Sequence, residues 1–147
     1  MIIGIASDHR GTEKKKQIID ILEKNGITVV NYGTDTTVSV DYPLFAFKVG
    51  EAVSKKEIDF GILLCGTGIG MSIACNKVIG IRCAKVNNKE EVFLARSHNN
   101  ANVISLSSDL SLYKIRQIIK TFIETTFSNE ERHIKRNNMI DDYVNKL

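Results

Sequence analysis

Short apolar runs rich in β-branched residues alternate along the whole chain with longer segments of helical period. The apolar runs are IIGIAS, ITVVNYG, FGILLC, VIGIRCAKV and NVISLS, and the helical segments cover residues 13–24, 44–54, 69–76, 89–97 and 110–127. Strands that alternate with helices pair in parallel, and such continuous apolar runs indicate strands buried on both faces. The pattern predicts an α/β fold: a doubly wound, five-stranded parallel sheet, flavodoxin- or Rossmann-like and flanked by helices.

Residues typical of helix ends support this reading and indicate a sixth helix. Gly26 follows the first helical segment, where a C-terminal glycine belongs, and Pro43, the only proline, opens the second. The letters SNEE, from Ser128 to Glu131, have the capping-box spacing and predict a last helix to about Tyr143. A chain of 147 residues is the size of one domain, and we expect a single domain over 1–147.

Composition excludes several classes of protein. The net charge is only +3 and the basic residues are mostly scattered, so a nucleic-acid-binding surface is not expected. No apolar stretch approaches the roughly 20 residues of a membrane span, and MIIGIASDH has no basic leader, so we expect a cytoplasmic protein without membrane contact. Three cysteines without paired spacing argue against a disulfide framework or a zinc site.

Two polar, glycine-bearing loops are the best candidates for a functional site. SDHRG follows the first strand and CGTGIG follows the third. Ligands of open α/β sheets bind beyond the carboxyl ends of the strands, where the winding direction reverses. In a flavodoxin-like order 2-1-3-4-5 that point lies between strands one and three, so the order would bring the two loops side by side.

The loop from Cys65 to Gly70 can stabilise negative charge. Gly66, Gly68 and Gly70 allow a tight turn with exposed N–H groups directly before a helix. It is not a Walker loop, because Gly70 is followed by methionine rather than lysine, and the G-x-G-x-G spacing does not fit the dinucleotide motif. The loop can therefore hold a phosphate or an oxyanion, although glycine turns of purely structural role are also common.

A cysteine next to such a turn has two readings. A thiol near a helix N-terminus ionises more readily, and it could remove a proton next to a carbonyl while the N–H groups hold the enediolate oxygens. Alternatively, Cys65 is a small buried apolar residue. A redox role is less well supported, since no second cysteine has the spacing of a resolving partner.

Other polar residues carry the same ambiguity. Asp8 and His9 could move protons or bind phosphate, or Asp8 could cap the first helix. His98 precedes strand five, at the amino edge of the sheet, so it is either structural or brought to the site by a second subunit. Arg132 and Arg136 lie one helical turn apart, a spacing that suits phosphate binding but also a solvated helix face.

Five motifs together resemble those of type B ribose-5-phosphate isomerases. They are ASDHRG, VDYP, LLCGTGIGMS, RSHNNANV and ERHIKR, and in order and spacing they cover essentially the whole chain. Galactose-6-phosphate isomerase subunits are similar too, but the cysteine and the HN pair together favour the pentose-phosphate branch. Allose 6-phosphate can also be a substrate in the family. The resemblance implies an aldose–ketose isomerase that interconverts ribose 5-phosphate and ribulose 5-phosphate.

The resemblance also implies residue roles. Cys65 would be the base and His98 the acid that assists ring opening, with Thr67 and Asp8 taking part in catalysis. The substrate would be bound by a larger set: Asp8, His9, Tyr42, Gly66, Thr67, Gly68, Ile69, Gly70, Asn99, Arg132 and Arg136. No metal or organic cofactor is implied. The family forms homodimers, in some members paired into tetramers, with sites shared across the interface, which would account for the position of His98.

One position departs from the family pattern. After NVISL the family usually has an arginine that contacts the substrate phosphate, whereas this chain has Ser107, Ser108 and Asp109. Asp109 would repel a phosphate, which predicts a raised Michaelis constant or a different preferred sugar phosphate. The alternatives are therefore an isomerase of allose 6-phosphate or galactose 6-phosphate, or a sugar-phosphate sensor without catalysis.

Overall fold

The computed structural model describes residues 1–147, and its elements follow the predicted alternation. In chain order they are β1 (Ile2–Ser7), α1 (Thr12–Lys24), β2 (Thr28–Asn31), α2 (Tyr42–Ser54), β3 (Phe60–Cys65), α3 (Ile69–Cys75), β4 (Cys83–Lys85), α4 (Lys89–Ser97), β5 (Val103–Ser107), α5 (Leu112–Glu124) and α6 (Glu131–Asn145). None of the helices is both long enough and apolar enough to cross a membrane.

The five strands form one parallel sheet with helices on both faces, which confirms the predicted fold class. The strand order is β2-β1-β3-β5-β4. Alternate side chains of β3 point to opposite faces: Ile62 and Leu64 pack against α1, α4 and α5, whereas Leu63 and Cys65 pack against α2 and α3. Burial on both faces explains why the strand sequences are continuously apolar.

The strand order differs from the flavodoxin-like order assumed from the sequence, in which β4 lies between β3 and β5. In the structure β5 is the inner strand and β4 is at the edge. Burial gives the reason: Val103, Ile104 and Leu106 of β5 are fully buried, whereas the three residues of β4 are only half-buried. The reversal of winding between β1 and β3 is unaffected, so the two candidate loops still follow neighbouring strands.

Several predicted boundaries also differ from those in the structure, and two of them have a clear cause. The run 78–86 is a strand only over Cys83–Lys85, because its first part turns through Gly80 at a φ of +80°. The capping box expected at Ser128 does not form: α6 starts at Glu131, and the Ser128 hydroxyl accepts a hydrogen bond from the Glu130 N–H at 3.3 Å within the preceding loop.

A buried lysine fixes the loop after β2 to α1. Lys15 is completely buried, and its Nζ donates to Asn31 Oδ1 at 2.9 Å, to Asp35 Oδ1 at 2.7 Å and to the Thr34 carbonyl. Burying an ammonium group is unfavourable unless it is fully hydrogen-bonded, and three acceptors meet that condition. Lys15 thereby anchors the start of the loop that leads to Val40, which contacts the candidate site.

Candidate active site

The loops after β1 and β3 lie next to each other, as predicted. The Asp8 N–H donates to the carbonyl of Leu64 at 3.0 Å, and the Asp8 carboxylate accepts from the Arg10 N–H at 2.9 Å. Asp8 is therefore not the cap of α1, whose first turn follows Gly11 without a side-chain cap. Its second carboxylate oxygen accepts no hydrogen bond within the chain and is available to a ligand.

The Cys65 side chain receives a hydrogen bond from the turn that follows it. Its Sγ is 3.0 Å from the backbone nitrogen of Gly68, and the residue is only 6% exposed. The Gly68 N–H therefore donates a hydrogen bond to the sulfur of the candidate base. The structure thus pairs the thiol with the glycine turn and does not leave it among apolar side chains alone.

The turn itself offers further donors. The N–H groups of Gly66, Thr67 and Gly70 have no acceptor within the chain, while the Thr67 hydroxyl accepts from the Ile69 N–H at 3.2 Å. Free N–H groups in a glycine turn before a helix can bind an anion or a developing oxyanion. The chemical capacity predicted for this loop is therefore present in its geometry.

Two serines of β5 hold the turn in place, and the sequence analysis did not assign them this role. Ser105 Oγ donates to the Gly68 carbonyl at 2.6 Å and Ser107 Oγ donates to the Gly66 carbonyl at 2.8 Å. Gly68 has a φ of +78°, and a Cβ atom there would lie 2.9 Å from the Leu106 backbone. The only sequence signal for these contacts is serine at alternate positions of an otherwise apolar strand.

His9 and Tyr42 complete this side of the site. His9 Nδ1 accepts from the Val40 N–H at 3.3 Å, so its Nε2 remains as a donor. The exposed Tyr42 ring lies against Gly70, where a Cβ atom would be 2.8 Å from the phenol oxygen. We call Asp8, His9, Tyr42 and residues 65–70 the carboxyl-edge group, because all lie where β1 and β3 end.

Two further side chains adjoin the carboxyl-edge group. The Arg10 guanidinium lies over Gly66, where a Cβ atom would be 2.5 Å from Nη1. No prediction from the sequence included Arg10. Asp109 is exposed, and its N–H donates to Ser107 Oγ at 3.1 Å, so it lies beside the same turn.

The other predicted residues form a separate set on α6 and on the turn before β5. The rings of His98 and His133 stack with centroids 4.2 Å apart, and Asn137 Nδ2 donates to the His98 carbonyl at 3.1 Å. Exposed Asn99, Arg132 and Arg136 lie on the same two segments. We call His98, Asn99, Arg132 and Arg136 the amino-edge group.

His133 was not predicted, although it is the buried residue between the two arginines. It is 6% exposed, and its Nε2 has no hydrogen-bond partner. Burial lowers the pKa of His133 from its ordinary value of 6.5, and the neighbouring His98 and Arg132 lower it further. A neutral imidazole therefore stacks on the face of His98.

One chain does not bring the carboxyl-edge and amino-edge groups together. Cys65 pairs with Ser107 at one end of β5, and Gly61 pairs with Val103 at the other. Four residues of strand separate these ends by about 13 Å. His98 lies still further back, before β5 begins, so a site that uses Cys65 and His98 together needs a second copy of the chain.

The remaining two cysteines lie behind the site. Cys75 and Cys83 are neighbours in the α2/α3 layer, and the pKa of Cys83 is raised, first by a hydrogen bond with Cys75 and then by burial. Both side chains pack in this layer, and neither is placed to react with a ligand at the carboxyl-edge group.

Known proteins share this fold and are similar in sequence. The structure of ribose-5-phosphate isomerase B from Clostridium thermocellum matches with a TM-score of 0.96 and 43% identity, covering 99% of both chains. That of ribose-5-phosphate isomerase B from Mycoplasma genitalium with bound ribulose-5-phosphate matches with a TM-score of 0.95 and 39% identity, covering 99% of this chain and 97% of that one. The chain is by class a sugar phosphate isomerase.

The family follows from the sequence match. The sequence model described as Ribose/Galactose Isomerase matches residues 3–140, and the chain belongs to that family. A galactose-6-phosphate isomerase subunit from Clostridium acetobutylicum is 34% identical, with 98% of this chain and 84% of that one covered. The resemblance stated from the motifs is thus confirmed at the level of the family.

Proposed function

We propose that the chain interconverts D-ribose 5-phosphate and D-ribulose 5-phosphate by proton transfer through an enediolate. The observation that carries the proposal is the pairing of the Cys65 thiol with a turn whose Gly66, Thr67 and Gly70 N–H groups are free. A base and oxyanion donors within one turn are what proton abstraction next to a carbonyl requires.

The residues take the following roles in this reaction. His98 donates a proton to the ring oxygen as the C1–O4 bond breaks, and the proton of the O1 hydroxyl passes to the free carboxylate oxygen of Asp8, which leaves the open-chain aldehyde. The Cys65 thiolate then removes the proton from C2, and the electron pair moves to form the enediolate. The enediolate oxygens accept hydrogen bonds from the free N–H groups of the turn. Return of that proton to C1, with transfer of the O2 proton to O1, gives the ketose. Asp8, with its free carboxylate oxygen, orients the substrate hydroxyl groups.

The complete site is proposed to form between two chains. The carboxyl-edge group of one chain would meet the amino-edge group of its partner in a homodimer, so that Arg132 and Arg136 reach the phosphate and Asn99 reaches the sugar. The distance between the two groups within one chain supports this arrangement. The same distance keeps His98 away from Cys65 of its own chain.

The test is conversion of ribose 5-phosphate by the purified protein with a chelator present. We expect turnover in the wild type and a loss of at least about 1,000-fold in Cys65→Ala, because the base is removed. Cys83→Ala is the matched control: it removes a thiol from the packed layer and should retain turnover. Full activity of Cys65→Ala would refute the assignment of the base.

The same assay with allose 6-phosphate and galactose 6-phosphate tests the second candidate substrate. Asp109 is the observation that favours it, since Asp109 stands where the resemblance implies an arginine for the phosphate of ribose 5-phosphate, and a hexose phosphate, one carbon longer, carries its phosphate further from the reacting carbons. If kcat/KM is higher for either hexose phosphate than for ribose 5-phosphate, that hexose phosphate is the preferred substrate and the proposed mechanism is unchanged. Binding of all three sugars without turnover of any would instead favour a sensor.

A further inference from the structure

The guanidinium of Arg10 has no partner within the chain, although it contacts the catalytic turn. Only the Arg10 backbone N–H is hydrogen-bonded, to Asp8. By contrast, Arg82 forms a bidentate pair with Asp141, and Arg96 donates to the Ala101 carbonyl at 2.7 Å. An arginine that is positioned over a turn but binds nothing there has all its donors available to a ligand.

The position of Arg10 depends on a glycine. A Cβ atom on residue 66 would lie 2.5 Å from Nη1 and 3.0 Å from Cζ of Arg10, so any larger residue would displace the guanidinium. The free N–H groups of Gly66 and Thr67 belong to the same turn. The guanidinium therefore lies beside the turn whose N–H groups are proposed to hold the enediolate, so that one sugar phosphate can contact both the turn and Arg10.

Asp109 is linked to Gly66 of the same turn through Ser107. The Gly66 carbonyl binds Ser107 Oγ, and Ser107 Oγ in turn accepts from the N–H of Asp109. Asp109 thus contributes a negative charge beside the turn, which disfavours a phosphate dianion. No other cationic side chain meets a glycine of the turn, because the close approaches at Gly68 and Gly70 involve Leu106 and Tyr42.

We propose that Arg10 binds the phosphate group of the substrate on the carboxyl-edge side and offsets the repulsion by Asp109. The planar guanidinium binds two phosphate oxygens, and His9 Nε2, from the same loop, can donate to a third. This proposal rests on the proposed function only in taking the ligand to be a phosphorylated sugar. It makes Arg10 a residue that determines affinity and is not needed for proton transfer.

Arg10→Gln tests the proposal through separate measurements of KM and kcat. We expect KM for ribose 5-phosphate and the inhibition constant of inorganic phosphate to rise together by about 10- to 100-fold, with kcat changed only a few-fold. In Arg10→Lys both constants should lie between those of the wild type and of Arg10→Gln, because lysine keeps the charge but lacks the planar guanidinium. Arg116→Gln, which removes an exposed charge from α5, should leave both constants unchanged.

The failures of the two proposals are distinguishable. If the wild type turns over and Arg10→Gln leaves KM and phosphate inhibition unchanged, or lowers kcat alone, the role of Arg10 is refuted and the isomerase stands. If the wild type turns over no sugar phosphate, calorimetric titration with inorganic phosphate decides. If the wild type binds phosphate and Arg10→Gln does not, Arg10 belongs to an anion site although the chain is not an isomerase. If both proteins bind phosphate equally well, or if the wild type does not bind it, the role of Arg10 is refuted.

Discussion

Cys65 and Asp109 lie at the carboxyl ends of adjacent strands and have opposite effects on an anion. Gly68 directs its N–H at the Cys65 sulfur, so the turn after β3 favours negative charge. The exposed carboxylate of Asp109 follows β5, two residues beyond Ser107, and opposes it. Individual charges around one turn should therefore contribute to the affinity of the proposed site for a phosphorylated ligand.

Asp109→Arg should strengthen binding of the substrate phosphate. It replaces repulsion with a charge-assisted contact worth on the order of 1.5 to 3 kcal/mol, so KM for ribose 5-phosphate should fall at least tenfold. Residue 109 is exposed, so the fold should be unaffected. Steady-state kinetics measure the effect, and Asp109→Asn, which only removes the repulsion, should give a smaller decrease. Unchanged kinetics in Asp109→Arg would contradict the account.

At the scale of elements, the turn before α3 is the part that the site depends on most. Gly68 combines a positive φ, a close approach to the Leu106 backbone and a hydrogen bond to Cys65. Gly26 has nearly the same φ, +76°, but open space around it. Replacing each of these glycines by alanine therefore distinguishes two losses of unfolding free energy: the loss from an unfavourable backbone conformation and the loss from displacing the turn.

Gly26→Ala should cost about 1 to 2 kcal/mol of unfolding free energy and leave activity intact, because only the left-handed conformation is penalised. Gly68→Ala should cost more, since its Cβ would lie 2.9 Å from backbone that cannot move easily, and should also abolish turnover. Urea unfolding and the isomerase assay measure both. Equal stability losses with retained activity in Gly68→Ala would show that the turn is not rigidly held.

The sequence predicted elements better than their arrangement. Helix α4 and strands β1 and β3 have the predicted bounds, because caps and apolar runs are local signals. The strand order was wrong because β4 and β5 are both apolar in sequence, and only their packing decides which is inside. The contacts of Ser105, Ser107 and Arg10 with the turn were missed for the same reason: they join residues distant in the chain.

The packing of α6 against the turn before β5 should depend on pH. His133 has a lowered pKa when folded, so below about pH 6.5 the unfolded chain binds more protons and stability decreases as the pH falls. His133→Phe keeps a ring against His98 but cannot titrate. Its urea midpoint should therefore decrease less than that of the wild type between about pH 7.5 and about pH 5. The same pH dependence in both proteins would refute this.

At the scale of the whole molecule, the inner position of β5 determines where both groups lie. The strand starts beside the amino-edge group, through the turn that carries His98, and ends beside the carboxyl-edge group, at Ser107. The two groups therefore lie on opposite edges of the sheet. In a symmetric pair of chains, the carboxyl-edge group of each chain can meet the amino-edge group of the other, which gives two complete sites.

Mixing two inactive variants tests the shared site. Cys65→Ala damages only the carboxyl-edge group and His98→Asn only the amino-edge group. If sites form between chains, unfolding and refolding the two variants together should restore about a quarter of wild-type activity, because half of the random pairs contain one intact site. The control is refolding of each variant alone, which should stay inactive. No recovery in a mixture that forms mixed pairs would place each site within one chain.

If the two groups form one site only across a pair of chains, catalysis also depends on protein concentration. A single chain with its site divided in this way would hold a base without the acid that opens the ring. Specific activity would then fall upon dilution below the dissociation constant of the pair, whereas an enzyme with its site in one chain keeps it. The amount of this protein in solution would thus influence the rate twice, through the number of chains and through the fraction that is paired.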